Sequence, residues 1–253
     1  MTKLGMADIH IHTDVSDGMM SVAELLEYVE EKTFLDVIAV TDHDEISGSL
    51  AARELAVRKR YRFEVITGME ISTLEGHLLA LFVDNPIPSY RHIDETIDAV
   101  HAQGGLCIAT HPMSWLTRSI GESTLDRIVC GADGCRLDGL ETANGQMAAK
   151  VTAKKTTRLN KERYHLPETG GSDAHFLASV GTAFTTFPGD TAEDLRRSLL
   201  ANTCRSQMGT PVSLGSIGPW QVARQLTRGL LVLPVRNLRK SFARRAKKAS
   251  TTA

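Results

Sequence analysis

The stretch Ala7–Gly18 reads ADIHIHTDVSDG. Its first part, Ala7–Ile11, is a short apolar run that contains His10 and is followed at once by His12. The rest is a polar turn rich in Asp, Ser and Gly, the residues that end strands and start loops. On a strand, residues i and i+2 point to the same side, so His10 and His12 can grip one ligand together. Working outward, six more apolar runs follow: Leu35–Thr41, Phe63–Thr67, Leu78–Val83, Leu106–Thr110, Gly139–Thr142 and Pro167–Gly171. Segments of helical period lie near 21–32, 49–60, 91–103, 123–130, 145–163 and 191–201. Two of these open with a capping box, at Ser21 with Glu24 and at Thr191 with Asp194. Strands alternating with helices predict a parallel sheet covered by helices. Seven such units predict an α/β fold, a distorted seven-stranded (β/α)7 barrel of TIM-like kind.

Histidines and carboxylates follow these runs. Asp17 comes after the first, and Thr41-Asp-His43-Asp ends the second. The third leads into a turn at Gly68-Met-Glu70, and His77 enters the fourth. The fifth ends in Thr110-His111-Pro112, the sixth runs into Glu141-Thr-Ala-Asn144, and the seventh ends in Ser172-Asp173-Ala-His175. In a parallel barrel all C-terminal strand ends open on one face. These residues are therefore expected to converge on one cup. Singly, each pattern has a plainer reading: histidines near a strand end, an Asx turn, a helix cap. Their recurrence at successive strand ends points to metal. Imidazole and carboxylate suit zinc, manganese or iron, and the lack of cysteine among them argues against a closed structural zinc site. His92, His101 and His165 fall in a helix or a polar loop and read as structural or solvated.

The composition sets bounds. At 253 residues, 42% hydrophobic and 23% charged, the chain suits one large domain or two small ones and excludes wholesale disorder. Its apolar runs, such as Leu230–Val235, fall far short of the ~20 residues of a transmembrane segment. The first residues, MTKLGMADIH, hold no apolar signal region, and Cys107, Cys130, Cys135 and Cys204 form no CxxC pair. Reduced thiols in a cytoplasmic protein are expected. No acid occurs after Asp194: the first 194 residues carry −13 and the remainder +12. Residues 1–208 are expected to form the barrel, and 209–253 a linker (Gly209–Pro219) followed by a basic tail. In the tail, Val235, Leu238, Phe242 and Ala246 recur at helical spacing among Arg and Lys. That pattern suits an anionic lipid surface or nucleic acid, or else an apolar face packed on the barrel.

The ordered stretches ADIHIHTDVSDG, AVTDHDEISG, TGMEIS, EGHLLAL, ATHP and GGSDAH, spread over roughly residues 6 to 190, resemble the PHP (polymerase and histidinol phosphatase) superfamily, and within it the stand-alone metal-dependent phosphoesterases. The resemblance implies two to three divalent metals. His10, His12, Glu70 and Asp173 would bind the first; Glu70 would bridge to a second, held also by His111 and His77; Asp17, His43 and His175 would bind the third. Some relatives supply the His77 ligand from farther along the fourth strand, where this chain has Phe82, Val83 and Asp84. The implied activity is hydrolysis of a phosphoester by a metal-bound hydroxide, on a small phosphorylated metabolite, a nucleotide or a short oligonucleotide end. Asp42 and Asp44 are expected to orient ligands, Arg118 and Asn144 to contact substrate, and the general acid is unassigned. Two alternatives stand beside this. An amidohydrolase-type C–N hydrolase commonly uses a strand-borne bridging lysine, which is lacking here. A non-catalytic module would have lost ligands, whereas this set is complete.

Overall fold

The computed structural model describes residues 3–132, 134 and 136–229. The chain divides into two compact units between Val212 and Ser213. The first contains nine strands: β1 (Leu4–Ile11), β2 (Val37–Val40), β3 (Glu64–Ser72), β4 (His77–Leu81), β5 (Leu106–Ala109), β6 (Gly139–Asn144), β7 (Glu168–Gly171), β8 (Ala183–Pro188) and β9 (Arg205–Met208). Its helices are α1 (Val22–Lys32), α2 (Ser47–Lys59), α3 (Ile93–His101), α4 (Glu122–Cys130), α5 (Met147–Leu159) and α6 (Ala192–Leu200). Both expected capping boxes are formed, at Ser21 and Thr191.

One sheet holds all nine strands, in the order β7-β6-β5-β4-β3-β2-β1-β8-β9. This corrects the expected seven parallel strands. β4 runs antiparallel to both β3 and β5, and β8 and β9 continue the sheet antiparallel beyond β1. The cause of the β4 reversal is local. β3 does not stop at Thr67 but runs through Glu70 to Ser72, so only residues 73–76 separate it from β4. A parallel return needs a dozen or more residues; four make a hairpin. Thr73 closes it, its N–H and its hydroxyl both donating to the Gly76 carbonyl at 3.0 and 2.6 Å. Gly76 has φ +146°, and a Cβ there would lie 2.4 Å from the Ile120 nitrogen. Gly68, by contrast, is not a turn residue: it pairs with Leu81 inside the ladder.

The sheet is nearly closed. Beyond β7, Ala174 bridges in parallel to Ile11 at the end of β1, and the His12 N–H donates to the Ala174 carbonyl at 2.9 Å. Toward the other end, the Thr185 hydroxyl of β8 bonds both the N–H and the carbonyl of Gly170 at 2.9 Å. One apolar cluster joins Ile9, Ala39, Ile66, Leu79, Leu81, Ile108 and Phe187 from six strands with Leu195 and Leu199 of α6. α1 and α2 pack over β1–β3, and α3 and α4 over β3–β6. Burying these side chains, at roughly 1.5–3 kcal/mol each relative to exposure, makes a stiff frame for the polar end.

The second unit contains α7 (Leu214–Ile217), which falls within the expected linker, and α8 (Pro219–Thr227), begun by a proline. The tail positions Val235, Leu238, Phe242 and Ala246 lie outside the described residues. Among the described residues no helix is long and apolar enough to cross a membrane.

Candidate metal centre

Glu70 stands in the middle of the site. It lies within β3 in register with Leu79 and is 1% exposed. A lone carboxylate in such a place would cost several kcal/mol. Here its two oxygens share five imidazoles. Oε2 is 3.0 Å from His43 Nδ1 and 3.4 Å from Nε2 of both His10 and His12. Oε1 is 3.0 Å from His77 Nδ1 and 3.1 Å from His111 Nε2. Burial alone pushes this carboxyl up; the imidazoles of His43, His77 and His10 outweigh it and hold it well below the ordinary carboxylate range.

The antiparallel course of β4 brings His77 into the cup. His77 opens that strand opposite Ser72, the last residue of β3, so its start lies at the end where β3 finishes. Phe82, Val83 and Asp84 lie past the far end of β4, and Asp84 pairs with Arg53 at 2.7 Å.

The remaining groups arrive from loops. Asp173 Oδ1 is 3.3 Å from His12 Nε2 and 3.6 Å from His10 Nε2. Asp17 Oδ2 is 3.2 Å from His175 Nε2, and its Oδ1 is 3.9 Å from His43 Nε2. Candidate ligand atoms lie within 4.8 Å of one another in four overlapping sets: His10, His12 and Asp173; His10, Glu70 and His111; His43, Glu70 and His77; and His12, Asp17, His43 and His175. All nine expected residues are thus brought together.

The donor set fits divalent cations. Nε2 of His10, both ring nitrogens of His12, Nδ1 of His77 and Oε2 of Glu70 are buried without a hydrogen-bond partner. Buried polar atoms rarely stay so; these belong to residues of the ligand sets above, and a coordinated ion is what would satisfy them. Burial, with His175 and His43 nearby, takes His12 down to about 4, which keeps its imidazole neutral, the form that ligates. His175 moves the other way. Burial opposes its charge, but Asp17 and Asp173 outweigh that and raise it to about 9.

A further layer positions these groups. Glu141 Oε1 contacts His10 Nδ1 at 2.9 Å, while its Oε2 accepts from the Thr110 hydroxyl, the His111 N–H and the Asn144 amide at 3.0, 2.6 and 2.8 Å. A carboxylate on the outer ring nitrogen fixes a ligating histidine's tautomer and orientation. The sequence puts Glu141 among the groups expected to converge on the cup but gives it no role of its own; its place on His10 Nδ1 is the structure's addition. Asn144 is buried, and its amide is spent on Glu141, on Asp173 at 3.5 Å and, through Oδ1, on the Gln146 N–H at 2.8 Å. Gln146 in turn donates to the Asp173 carbonyl at 2.7 Å and lies 3.3 Å from His175 Nδ1. Arg118 is exposed. Its guanidinium donates to the Thr73 carbonyl at 2.8 Å and lies 5.6 Å from the Tyr90 ring centre.

Asp42 holds the loop that carries Asp17, accepting from the Thr13 N–H, the Thr13 hydroxyl and the Ser16 hydroxyl at 2.8, 2.6 and 2.5 Å. Asp44 accepts from the Ser72 N–H at 2.8 Å. Asp8 accepts from the N–H groups of Ser172 and Gly181 at 2.9 and 2.8 Å, pinning the loop that carries Asp173 and His175. Two of the ligand candidates have positive φ, His111 (30°) and Asp173 (52°), a strain that tends to gather at functional sites. The other histidines lie apart: His92 pairs with Glu75 at 3.0 Å, His101 with Asp138 at 2.9 Å, and His165 ends the turn after α5.

The PHP domain profile matches residues 8–153, and the PHP-associated profile matches residues 155–204. The chain belongs to the PHP domain family. The PHP region thus spans all nine candidate ligands across its two profiles. An uncharacterized protein of Methanocaldococcus jannaschii is 32% identical over 173 residues, covering 64% of this chain and 94% of that one. The 5'-3' exoribonuclease Rnm of Salmonella typhimurium is 35% identical over 88 residues, 33% of this chain and 30% of the relative. A two-domain protein of Bacteroides vulgatus containing a predicted PHP-like metal-dependent phosphoesterase superposes with a TM-score of 0.66, at 17% identity, over 90% of this chain and 70% of that one. At that identity the likeness speaks to the PHP fold.

Proposed function

We propose that this PHP protein is a metal-dependent phosphoesterase that hydrolyses a small phosphorylated metabolite, a nucleotide or the end of a short oligonucleotide. The observation that carries the reading is Glu70, one buried carboxylate whose two oxygens divide five imidazoles into two sets. His10, His12, Glu70 and Asp173 would hold one ion, Glu70, His77 and His111 a second, and Asp17, His43 and His175 a third. Zinc, manganese and iron suit these donors. When bound, such ions lower the pKa of a coordinated water and offset charge on phosphate oxygens. The chain's own residues set the stage for this. Glu141 orients His10, Asp42 and Asp8 fix the loops bearing Asp17, Asp173 and His175, and the apolar cluster beneath keeps water out. Arg118 is a candidate for the substrate's far side once it leaves the Thr73 carbonyl. Asn144 acts through Glu141 and Asp173 rather than on substrate. Residues 1–208 form the catalytic barrel in this reading, and 209–253 a linker and a basic tail whose charge suits an anionic lipid or nucleic acid. A cytoplasmic setting accords with the free thiols of Cys107, Cys130 and Cys204.

The test is metal analysis of protein purified without chelator, followed by release of inorganic phosphate from nucleotides and sugar phosphates. Bound zinc, manganese or iron and chelator-sensitive release are expected. Full activity in metal-free protein, or none on any phosphoester with these metals supplied, contradicts the reading.

A further inference from the structure

Two features beside the cup take no part in holding metal. The first is an exposed apolar rim. The loop after β5 carries His111, and farther along it Trp115 is 74% exposed and Leu116 54%. The Ser114 hydroxyl donates to the Ala148 carbonyl at 2.8 Å, so Trp115 follows directly on a contact with the start of α5. There Met147 is 70% exposed and Val151 54%. Met147 also follows Gln146, which touches both Asp173 and His175. The rim therefore lies one residue away from groups that contact the cup.

The second feature is charge. From Met147 to Lys161 the chain carries Lys150, Lys154, Lys155, Arg158 and Lys161 and no acid, within a body whose first 194 residues sum to −13. Lys155 is paired with Glu122 at 2.6 Å. Among the described residues, Lys150, Lys154 and Lys161 make no ion pair, and all three are exposed. Met147, Val151, Lys154 and Arg158 are spaced i, i+4, i+7 and i+11, which places them along one face of α5, and Lys161 follows in the turn Asn160–Tyr164 that continues the helix. A groove of about 470 Å³ runs beside it, lined by Lys154, Arg158, Lys161 and, at its far end, Glu162, which is matched to Arg158 at 4.0 Å. The face is thus apolar next to the cup and cationic beyond it, over ~20 Å of helix.

A flat apolar surface suits a nucleobase, which stacks on aromatic side chains whatever its identity, and a row of cations suits the phosphates that follow it. Resting on the phosphoesterase reading, we infer that the β5–α4 loop, the exposed face of α5 and the turn after it form a track for single-stranded nucleic acid. The terminal phosphate lies in the cup, the adjoining base on Trp115, and the trailing backbone along Lys150, Lys154 and Lys161. The substrate class is then an oligonucleotide rather than a free mononucleotide.

The test is binding, so it does not depend on turnover. A fluorescein-labelled, 5′-phosphorylated adenylate decamer with phosphorothioate linkages is titrated into metal-loaded protein at several salt concentrations. The decamer should bind at least ten-fold more tightly than adenosine monophosphate. The triple variant K150E/K154E/K161E, checked for an unchanged melting temperature, should lose that advantage, and its slope of log K against log salt should fall by about 2, the release expected from three single-strand phosphate contacts. Lys59→Glu, on α2, should leave decamer binding as in the wild type. In a Trp220→Phe background, the emission of Trp115 should change on decamer addition, and Trp115→Ala should weaken binding about ten-fold. The track is overturned if the decamer binds no better than the monophosphate, if the triple variant keeps the wild-type slope, or if the lysines serve vesicles of anionic lipid instead. Absence of phosphate release from every substrate, with decamer binding intact, would refute the phosphoesterase reading and leave the track standing.

Discussion

Glu70 and Asp17 are both buried carboxylates of one cup, yet they are held differently. Glu70 sits within β3, with the β4 ladder on one side and a bridge to His43 on the other. Its place follows from the sheet. Asp17 sits on a loop, and that loop keeps its shape through three hydrogen bonds to Asp42. Asp173 resembles Asp17 in this respect, its loop being pinned through Asp8. The strand side of the centre is thus fixed by backbone pairing, and the loop side by a few buried carboxylates that never reach the metal positions. The two sides should fail separately.

The largest separate failure is expected at Glu141, which serves the strand side. Glu141→Gln removes the charge facing His10 Nδ1 and should weaken metal binding 10–100-fold, as read by competition with a chelating dye. Wild-type affinity would show that the sheet alone orients His10. Asp42→Ala should act on the loop side. It leaves the donors on Thr13 and Ser16 without their acceptor, at about 1–3 kcal/mol, and should lower the metal content of the Asp17, His43 and His175 set while the ions around Glu70 stay. A uniform loss of all metal would erase the distinction. The smallest effect belongs to neither side. Thr191→Ala removes the cap of α6 and should cost about 1 kcal/mol in thermal unfolding, with metal content unchanged.

The same contrast governs what could be read from the sequence. The apolar runs of β1, β2 and β5 are short, carry histidine at their ends, and were legible, as were the six helices and both capping boxes. The direction of β4 was not read, because the period-2 pattern of a strand is the same in either direction. The signal lay in Met69–Ser72, which continues β3: counted as strand, it leaves a gap of four residues that includes a glycine, a hairpin spacing. Taking Gly68–Glu70 as a turn hid that gap. In β8 the alternating burial of Ala183–Pro188 was present as AFTTFP, but with two threonines among six residues it does not stand out as an apolar run. The nine positions that meet in the cup were legible because most of them stand near the ends of apolar runs. Glu141, Asp8 and Asp42 were less so, since most of their bonds reach residues 26 to 173 positions away, which no local pattern records.

The central claim is that Glu70 joins two sets of ligands. Glu70→Gln keeps the size of the side chain and removes its charge, so the β3–β4 ladder should form as before. Metal per chain and turnover are measured on one preparation, with circular dichroism as the check on folding. The account predicts a folded protein that has lost metal from both sets in a single step and has lost phosphate release with it. Wild-type metal content and rate in Glu70→Gln would contradict the bridging role and the cluster built around it.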